Sequence, residues 1–232
     1  MRRRRQSGFT LIELIISITL VALLATSLLM AMRSGFLTFE KTTARLDLNR
    51  RVMSVEQILG RELSGAIPEM GLCATSSGNA ARWPMFVGEP ESLRLISSYS
   101  MEQGARGRPS ILVFQVIRAP QGGVRLVVNE SPWTGPASTI PFCLDGRLVA
   151  PPVNEKSFVL ADKLMTCRFT YLERTENSND LKVQPVWNRP DLPSGVHVQM
   201  IPLVPDSSRL PLMSVTATIR INKQVQGTYV DQ

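Results

Sequence analysis

The feature that most constrains this chain is one long apolar stretch close to its amino terminus. Residues 9–32 read FTLIELIISITLVALLATSLLMAM and contain a single charged side chain, Glu13. About 20 consecutive apolar residues in helical form cross the hydrocarbon core of a bilayer. The stretch therefore predicts one membrane-spanning helix. A carboxylate inside such a helix is costly and usually serves a function, so Glu13 is the first candidate functional residue.

The segment in front of this helix is short and basic. Residues 2–5 are all arginine, within the leader MRRRRQSG. Basic residues are retained on the cytoplasmic side of a membrane. We therefore expect residues 1–8 to stay in the cytoplasm and the chain after residue 32 to lie on the opposite side.

The junction between leader and helix carries a family resemblance. Residues 8–13 read GFTLIE, which resembles the processing signature of type IV prepilins and type II secretion pseudopilins. In that family a prepilin peptidase cuts after the glycine and methylates the new amino terminus. The resemblance implies a cut between Gly8 and Phe9, N-methylation of Phe9, and Glu13 as a residue of subunit assembly. It also implies a bacterial inner-membrane protein, single-pass, whose C-terminal head lies in the periplasm and joins a filament there.

Other processing signals fit the segment less well. A secretory signal peptide has an apolar core of about 7–15 residues followed by a small-residue cleavage site. The nearest candidate is Ala-Thr-Ser at residues 25–27, but apolar residues continue directly past it. A twin-arginine signal at residues 4–5 needs a cut in the same place. An uncleaved signal anchor remains an alternative, although it gives no reason for the glutamate at position 13.

Charge and cysteine usage exclude some classes of partner. The formal net charge is +7, and four of those charges belong to the leader arginines, so the mature chain carries little excess charge. No Lys/Arg cluster stands out elsewhere, which argues against a nucleic-acid partner.

The three cysteines, Cys73, Cys143 and Cys167, are widely spaced and the chain has one histidine, His197, which argues against a zinc site. One pair could form a disulfide in an oxidising periplasm, with three possible pairings. Alternatively all three are small buried apolar side chains.

The apolar helix is predicted to continue into the next part of the chain. No proline occurs between residue 9 and Pro68, which disfavours a helix beyond Ala66. Apolar residues recur there at helical spacing, and we expect this stripe to pack against the chain's own domain. The stripe consists of Leu48, Val52, Val55, Leu59, Leu63 and Ile67.

After the helix the sequence indicates only loops and strands. Residues 69–91 are rich in glycine and proline, which predicts a loop. Alternating or continuously apolar runs then predict strands, with a hairpin at the turn of residues 120–123. The predicted strands cover residues 92–98, 111–117, 124–128, 164–172, 195–201 and 213–221, with proline-rich loops at 129–156.

One helix followed by strands alone predicts an α+β fold with an antiparallel β-sheet head packed on the long N-terminal helix. The family resemblance implies the pilin-like form of this fold. The predicted organisation has four parts. They are a basic leader at 1–8, a transmembrane and filament-core helix at 9–32, an amphipathic spine helix at 33–67, and a β-rich periplasmic head at 68–232.

Two further stretches are similar to the minor pseudopilin J family of type II secretion systems. One is residues 49–68 and the other is residues 164–201. The residues that follow the family's order are Phe169, Tyr171, Trp187, Leu192, Pro193 and Val196. The resemblance implies a minor subunit near the tip of the pseudopilus that helps to initiate filament assembly and protein export. Its implied partners are other minor and major pseudopilins, the prepilin peptidase and the inner-membrane assembly platform. The cysteines and the proline-rich 129–156 segment depart from the family pattern, and a minor pilin of a type IV pilus, acting in assembly initiation, adhesion or DNA uptake, is the alternative.

The sequence carries no catalytic, cofactor or metal motif that would make the chain an enzyme. His197 lies in an alternating strand, where it is expected to face solvent. Residues 176–180, ENSND, have the composition of a hairpin turn and lack the spacing of a calcium-binding loop. The tryptophans Trp83, Trp133 and Trp187 either anchor a subunit interface or pack beneath loops. A membrane-tethered periplasmic enzyme is the third and least favoured class.

Glu13 has two possible partners for its carboxylate. The positively charged amino terminus of Phe9 lies one helical turn away in the same chain. Alternatively, Glu13 of one subunit meets the amino terminus of another and sets the axial register of assembly. The family resemblance favours the second role.

Overall fold

We analysed a computed structural model of the chain, which describes residues 10–74, 80–102, 105–144, 147–175, 180–204 and 214–219. The chain divides into two compact units, Met1–Arg50 and Arg51–Gln232. Helix α1 spans Leu11–Ser64, so its last turns belong to the second unit. It carries Glu13 in its first turn and Arg61 in its last, charges that complement the helix dipole.

Strands make up most of the described residues of the second unit, together with a 3₁₀ helix at Pro136–Phe142. The strands are β1 Ala66–Ile67, β2 Met70–Ala74, β3 Ala80–Pro84, β4 Val87–Gly88, β5 Ser92–Ser100, β6 Ala105–Arg118, β7 Val124–Pro132, β8 Cys143–Leu144, β9 Arg147–Leu148, β10 Phe158–Arg174, β11 Leu181–Gln184, β12 Gly195–Pro202 and β13 Ser214–Thr218.

Nine of these strands form one sheet in which every pairing is antiparallel. Its order is β1-β5-β6-β7-β10-β12-β13, with β4 beside β5 and β11 beside β10. The long apolar helix followed by this antiparallel sheet confirms the predicted α+β, pilin-like fold class.

The last turns of α1 cover one face of the sheet. Val55, Leu59 and Leu63 are buried there in the main core, and Val52 is half-buried. These residues are part of the predicted stripe, so the helical spacing identified the packed face, but Ile67 of that stripe lies in β1 and not in the helix. The side chain of Leu48 is not among those that the structure describes. The other side of the core comes from alternate residues of the central strands, among them Phe114 and Phe169.

The opposite face of the sheet has its own cover, which the sequence did not reveal. The prediction of a loop at 69–91 was wrong, because β2 and β3 pair there as a separate two-stranded sheet. The side chain of Thr139, in the 3₁₀ helix, donates a hydrogen bond of 2.7 Å to the carbonyl of Leu72. Cys73 is bonded to Cys143 just after that helix. The hairpin is thus ordered by residues far along the chain, which local composition could not indicate.

A second apolar cluster lies beneath this cover. Met85 packs there with Ile96, Ile111 and Val113 of the sheet, and Trp133 borders the cluster partly buried. The sheet is therefore a middle layer over part of its area, with α1 on one face and the hairpin and 3₁₀ helix on the other.

Helix α1 ends at Ser64, two residues before the predicted end near Ala66. Gly65 N–H still bonds to the Arg61 carbonyl at 3.0 Å, whereas the Gly65 carbonyl accepts a 2.9 Å bond from Ser98 of β5. A Cβ at Gly65 would lie 2.5 Å from the Tyr99 ring. The close approach of β5 therefore takes the chain out of the helix earlier than Pro68 requires.

The remaining strand predictions agree with the structure to within a few residues at most ends. Strand β10 is longer than predicted, since it pairs with β7 over its first half and with β12 over its second. Strand β11 was not predicted. In β13 the alternation is confirmed for the described residues, with Val215 and Ala217 buried and Thr216 and Thr218 exposed.

The structure also locates the free cysteine, the histidine and two of the tryptophans. Cys167 is a buried free thiol, and burial raises its pKa to about 12. His197 lies on the outward side of β12, where Nδ1 is 2.7 Å from Thr216 Oγ1. Trp187 packs beneath a loop and Trp83 is 38% exposed. Strands β10 and β11 pair as the hairpin expected around residues 176–180, although residues 176–179 lie outside the described part of the chain.

Candidate membrane and assembly segment

The first part of α1 is a candidate membrane span. The candidate span covers Leu11–Glu40; its most apolar 18-residue window has a mean hydropathy of 2.5, and none of that window is buried within the molecule. Leucine and isoleucine side chains along it are more than half exposed. An apolar surface of this extent requires a nonaqueous surrounding, either lipid or other apolar helices.

Hydroxyl groups within the span are satisfied by the helix itself. Ser17 donates to the Glu13 carbonyl at 2.7 Å, and Thr26 donates to the carbonyls of Ala22 and Leu23 at 3.0 Å. Such bonds to residues one turn back remove the need for an external partner. These serines and threonines are therefore compatible with an apolar setting, whereas the carboxylate of Glu13 is not satisfied in this way.

Glu13 lies on the exposed surface of the first turn of α1. Its backbone N–H donates to the Thr10 carbonyl at 3.1 Å. Within the described chain its carboxylate makes no ion pair. The predicted processing residues Gly8 and Phe9, and the leader at 1–8, lie outside the described residues. The predicted contact between Glu13 and the amino terminus of Phe9 therefore lies outside the described residues.

The head contains a cluster of charged groups around Trp187. The Arg189 guanidinium lies 4.0 Å from the centre of the indole ring and 2.8 Å from a Glu173 oxygen. Trp187 Nε1 donates to the Asp191 carbonyl at 2.7 Å. Hydrogen bonds from Arg189 and then Gln184 lower the pKa of Glu173. This arrangement links Arg189 to both the indole ring and the Glu173 carboxylate.

A small cavity on the outer face of the sheet is largely apolar. Its lining includes the apolar Met85 and Ile111, and its polar lining residues are Arg94, Ser131 and Thr139. Burial lowers the pKa of Arg94 to about 10, while the nearby Glu89 opposes that effect. The cavity lies under the 3₁₀ helix and has no paired acid and base among its lining residues.

The sequence analysis missed one buried charged residue, Glu62, which is only 2% exposed. Glu62 lies three residues after Leu59 and one residue before Leu63, and both leucines belong to the apolar stripe. Helical spacing alone places position 62 on the packed face. The helical spacing of position 62 was visible in the sequence, but a glutamate is not normally expected in an apolar core.

Comparison with known proteins agrees with the character of the N-terminal segment. Residues 3–29 match the family model described as the prokaryotic N-terminal methylation motif. No curated protein matches the chain. The matched region contains Gly8, Phe9 and Glu13 and ends within the apolar part of α1.

These observations define the class of the chain at its amino terminus. Residues 3–29 carry the prepilin signal of type IV pilin-like proteins, and a pilin-like α+β fold follows it. The motif implies processing by a prepilin peptidase and assembly with other pilin-like subunits. The match does not extend into the head, so it identifies the signal and leaves the type of filament open.

Proposed function

We propose that the chain is a minor pseudopilin, a structural subunit near the tip of a type II secretion pseudopilus. In this role it helps to initiate filament assembly and the export of proteins across the outer membrane. The observation that carries the pilin-like class is the combination of the methylation motif at residues 3–29 with an exposed apolar span. The resemblance of residues 49–68 and 164–201 to the minor pseudopilin J family favours the secretion filament.

The proposed path of the chain has two steps. The leader at 1–8 is removed between Gly8 and Phe9 while residues 9–32 cross the inner membrane and the head lies in the periplasm. When the subunit enters the filament, its apolar helix exchanges lipid for the apolar helices of neighbouring subunits. Glu13 of one subunit then pairs with the methylated amino terminus of Phe9 in another.

The processing step can be tested by mass spectrometry of the native chain. With the prepilin peptidase present, we expect the mature protein to begin at an N-methylated Phe9. In cells lacking the peptidase, the same protein should retain residues 1–8. A mature chain that begins at any other residue would contradict the assignment of Gly8 and Phe9.

The assembly role of Glu13 can be tested with a matched pair of variants. We expect Glu13→Ala to be cut and inserted normally but to recover few partner subunits in a pull-down, because an unpaired amino terminus is left in the apolar filament core. Glu40→Ala removes a carboxylate at the far end of the same candidate span and should recover partners normally. Normal recovery with Glu13→Ala would overturn the assembly role.

A minor pilin of a type IV pilus is the second candidate function, favoured by the same motif, which does not distinguish the two filaments. Deletion of the chain separates them. Loss of protein secretion with normal surface pili supports the pseudopilus, and loss of surface pili or twitching motility with normal secretion supports the pilus.

A further inference from the structure

The carboxylate of Glu62 is buried where the last turns of α1 meet the sheet. Its side chain is 2% exposed, and its neighbours Leu59 and Leu63 are fully buried. Glutamate is almost never buried to this extent unless it is paired. Its protonation state therefore affects how well this end of the helix packs.

The hydrogen bonds of Glu62 satisfy only part of its carboxylate. The Ser97 hydroxyl donates to it, and Ser97 Oγ in turn accepts the N–H of Tyr99 at 3.2 Å. Glu62 Oε2 is buried and has no hydrogen-bond partner within the described residues. An ionised carboxylate accepts hydrogen bonds and needs donors at both oxygens, so a buried oxygen without a donor penalises the ion more than the neutral acid.

The charges around Glu62 do not remove this penalty. Burial is the largest effect and raises the pKa of Glu62 above its ordinary value near 4.5, while the hydrogen bond from Ser97 opposes this rise. The Glu130 carboxylate on β7 raises it further, and Arg61 on the same helical turn lowers it. Arg61 is exposed and its guanidinium lies 5.9 Å from the centre of the Tyr99 ring. Glu130 is held in place by the N–H groups of Met101 and Glu102, each at 3.0 Å.

We propose that Glu62 is a protonation-controlled latch that holds the last turn of α1 on strand β5 more tightly at acidic than at neutral pH. With its proton, the neutral carboxyl group stays buried beside Ser97. Without the proton, the carboxylate is charged, and opening of the turn stabilises it by letting water hydrate it. This device adds a conformational response to the head and does not depend on which filament the chain joins.

The direction of the pH dependence follows from linkage. A carboxyl group whose pKa is higher in the folded than in the unfolded state binds more protons when folded. Its contribution to stability is complete below the unfolded value near 4.5 and is lost as the pH rises through the folded pKa. Each pH unit between the two values corresponds to a tenfold change in the unfolding equilibrium constant.

The test compares the full chain in detergent micelles with two variants between about pH 4 and about pH 8. Urea unfolding is followed by tryptophan fluorescence, since Trp83, Trp133 and Trp187 all lie in the head. We expect Glu62→Gln to match wild type at the acidic end. As the pH rises, the unfolding constant of wild type should grow relative to that of this variant. Glu56→Gln, which removes an exposed carboxylate of the same helix, should follow wild type.

A second measurement keeps the proposal testable if Glu62→Gln does not fold. In wild type, amide exchange at Ser98 and Tyr99, corrected for the chemical rate, should become faster as the pH rises, because both amides bond at the latch. The carboxyl carbon of Glu62 should titrate above 4.5 in an NMR experiment. Titration at or below that value, or a constant ratio of wild-type to Glu62→Gln stability across the pH range, would overturn the latch.

Discussion

Tyr171 shows how one side chain can determine what its neighbours must be. Its ring lies directly over Gly88, where a Cβ would overlap it, and its hydroxyl donates to the Glu89 carbonyl at 3.0 Å. The ring of Phe86 meets it edge-on at 6.2 Å between centroids. Burial raises the pKa of Tyr171, with a smaller contribution from the Glu89 carboxylate. Gly88 is therefore required by the space that the tyrosine ring occupies.

We expect Gly88→Ala to lower the free energy of unfolding by about 1–3 kcal/mol, because the added methyl group overpacks a closed site. The matched control is Gly60→Ala in α1, where nothing lies within 4 Å of the new Cβ. Alanine favours the helix by about 1 kcal/mol there, so the control should not be destabilised. Urea unfolding of the full chain in detergent measures both. Equal losses in the two variants would contradict the close packing of Tyr171 on Gly88.

Helix α1 uses its last turns to complete the core of the head. Leu59 and Leu63 are fully buried, whereas Met53 on the same helix is 60% exposed. The helix is therefore attached to the sheet through one narrow stripe of side chains, in which each buried leucine carries a large part of the contact.

The variant Leu59→Ala should be destabilised by about 2–5 kcal/mol, the usual cost of a cavity in a core. Met53→Ala should change the unfolding free energy by no more than about 0.5 kcal/mol, because its side chain is largely in solvent. Circular dichroism during urea unfolding reports both. A small loss for Leu59→Ala would mean that the stripe does not carry the attachment.

The outer cover of the sheet depends on a covalent bond between distant parts of the chain. The disulfide joins Cys73 of β2 to Cys143 of β8 across a separation of 70 residues. A closed loop of that length restricts the unfolded chain strongly. The cover is thus secured to the rest of the head in an oxidising compartment.

We expect a reductant to lower the unfolding free energy of wild type by about 2–4 kcal/mol. The variant Cys167→Ala, which lacks only the free buried thiol, should respond to reductant in the same way. The double variant Cys73→Ala/Cys143→Ala should not respond at all. A wild-type protein whose stability is unchanged by reductant would show that the disulfide does not support the cover.

For the molecule as a whole, the two units Met1–Arg50 and Arg51–Gln232 are stabilised in different ways. Among residues whose side chains are described, the buried apolar ones begin at Val55. The first unit relies on an apolar surrounding, and the second on its own core. Folding of the head should therefore be independent of the membrane segment.

A chain that begins at residue 33 tests this independence. We expect it to be soluble and to unfold with a free energy within about 0.5 kcal/mol of the full chain, since the described side chains that it lacks, those of residues 10–32, are all exposed. Urea unfolding with tryptophan fluorescence provides the comparison, with the Leu59→Ala version of the short chain as the control for a real loss. A fall as large as that of the control would mean that residues 1–32 support the head.

Much of this molecule follows from local patterns in the chain. The apolar run after the basic leader predicted the exposed span, because about 20 consecutive apolar residues indicate a helix surrounded by a nonaqueous medium. Apolar spacing of three or four residues identified Val55, Leu59 and Leu63, and alternation identified β13. The motif residues Gly8, Phe9 and Glu13 lie within the region that matches the methylation motif.

Other features were decided only when distant residues met. The cover over the second sheet face depends on Thr139 bonding to Leu72 and on the choice of Cys143 as the partner of Cys73. The environment of Glu62 depends on the Ser97 hydroxyl of β5 and on the Glu130 carboxylate of β7. Hydropathy, helical spacing and strand alternation are properties of neighbouring residues, and the sequence alone was sufficient for them. Layer order, disulfide pairing and the environment of a buried acid are set by which surfaces pack together, so only the tertiary structure could determine them.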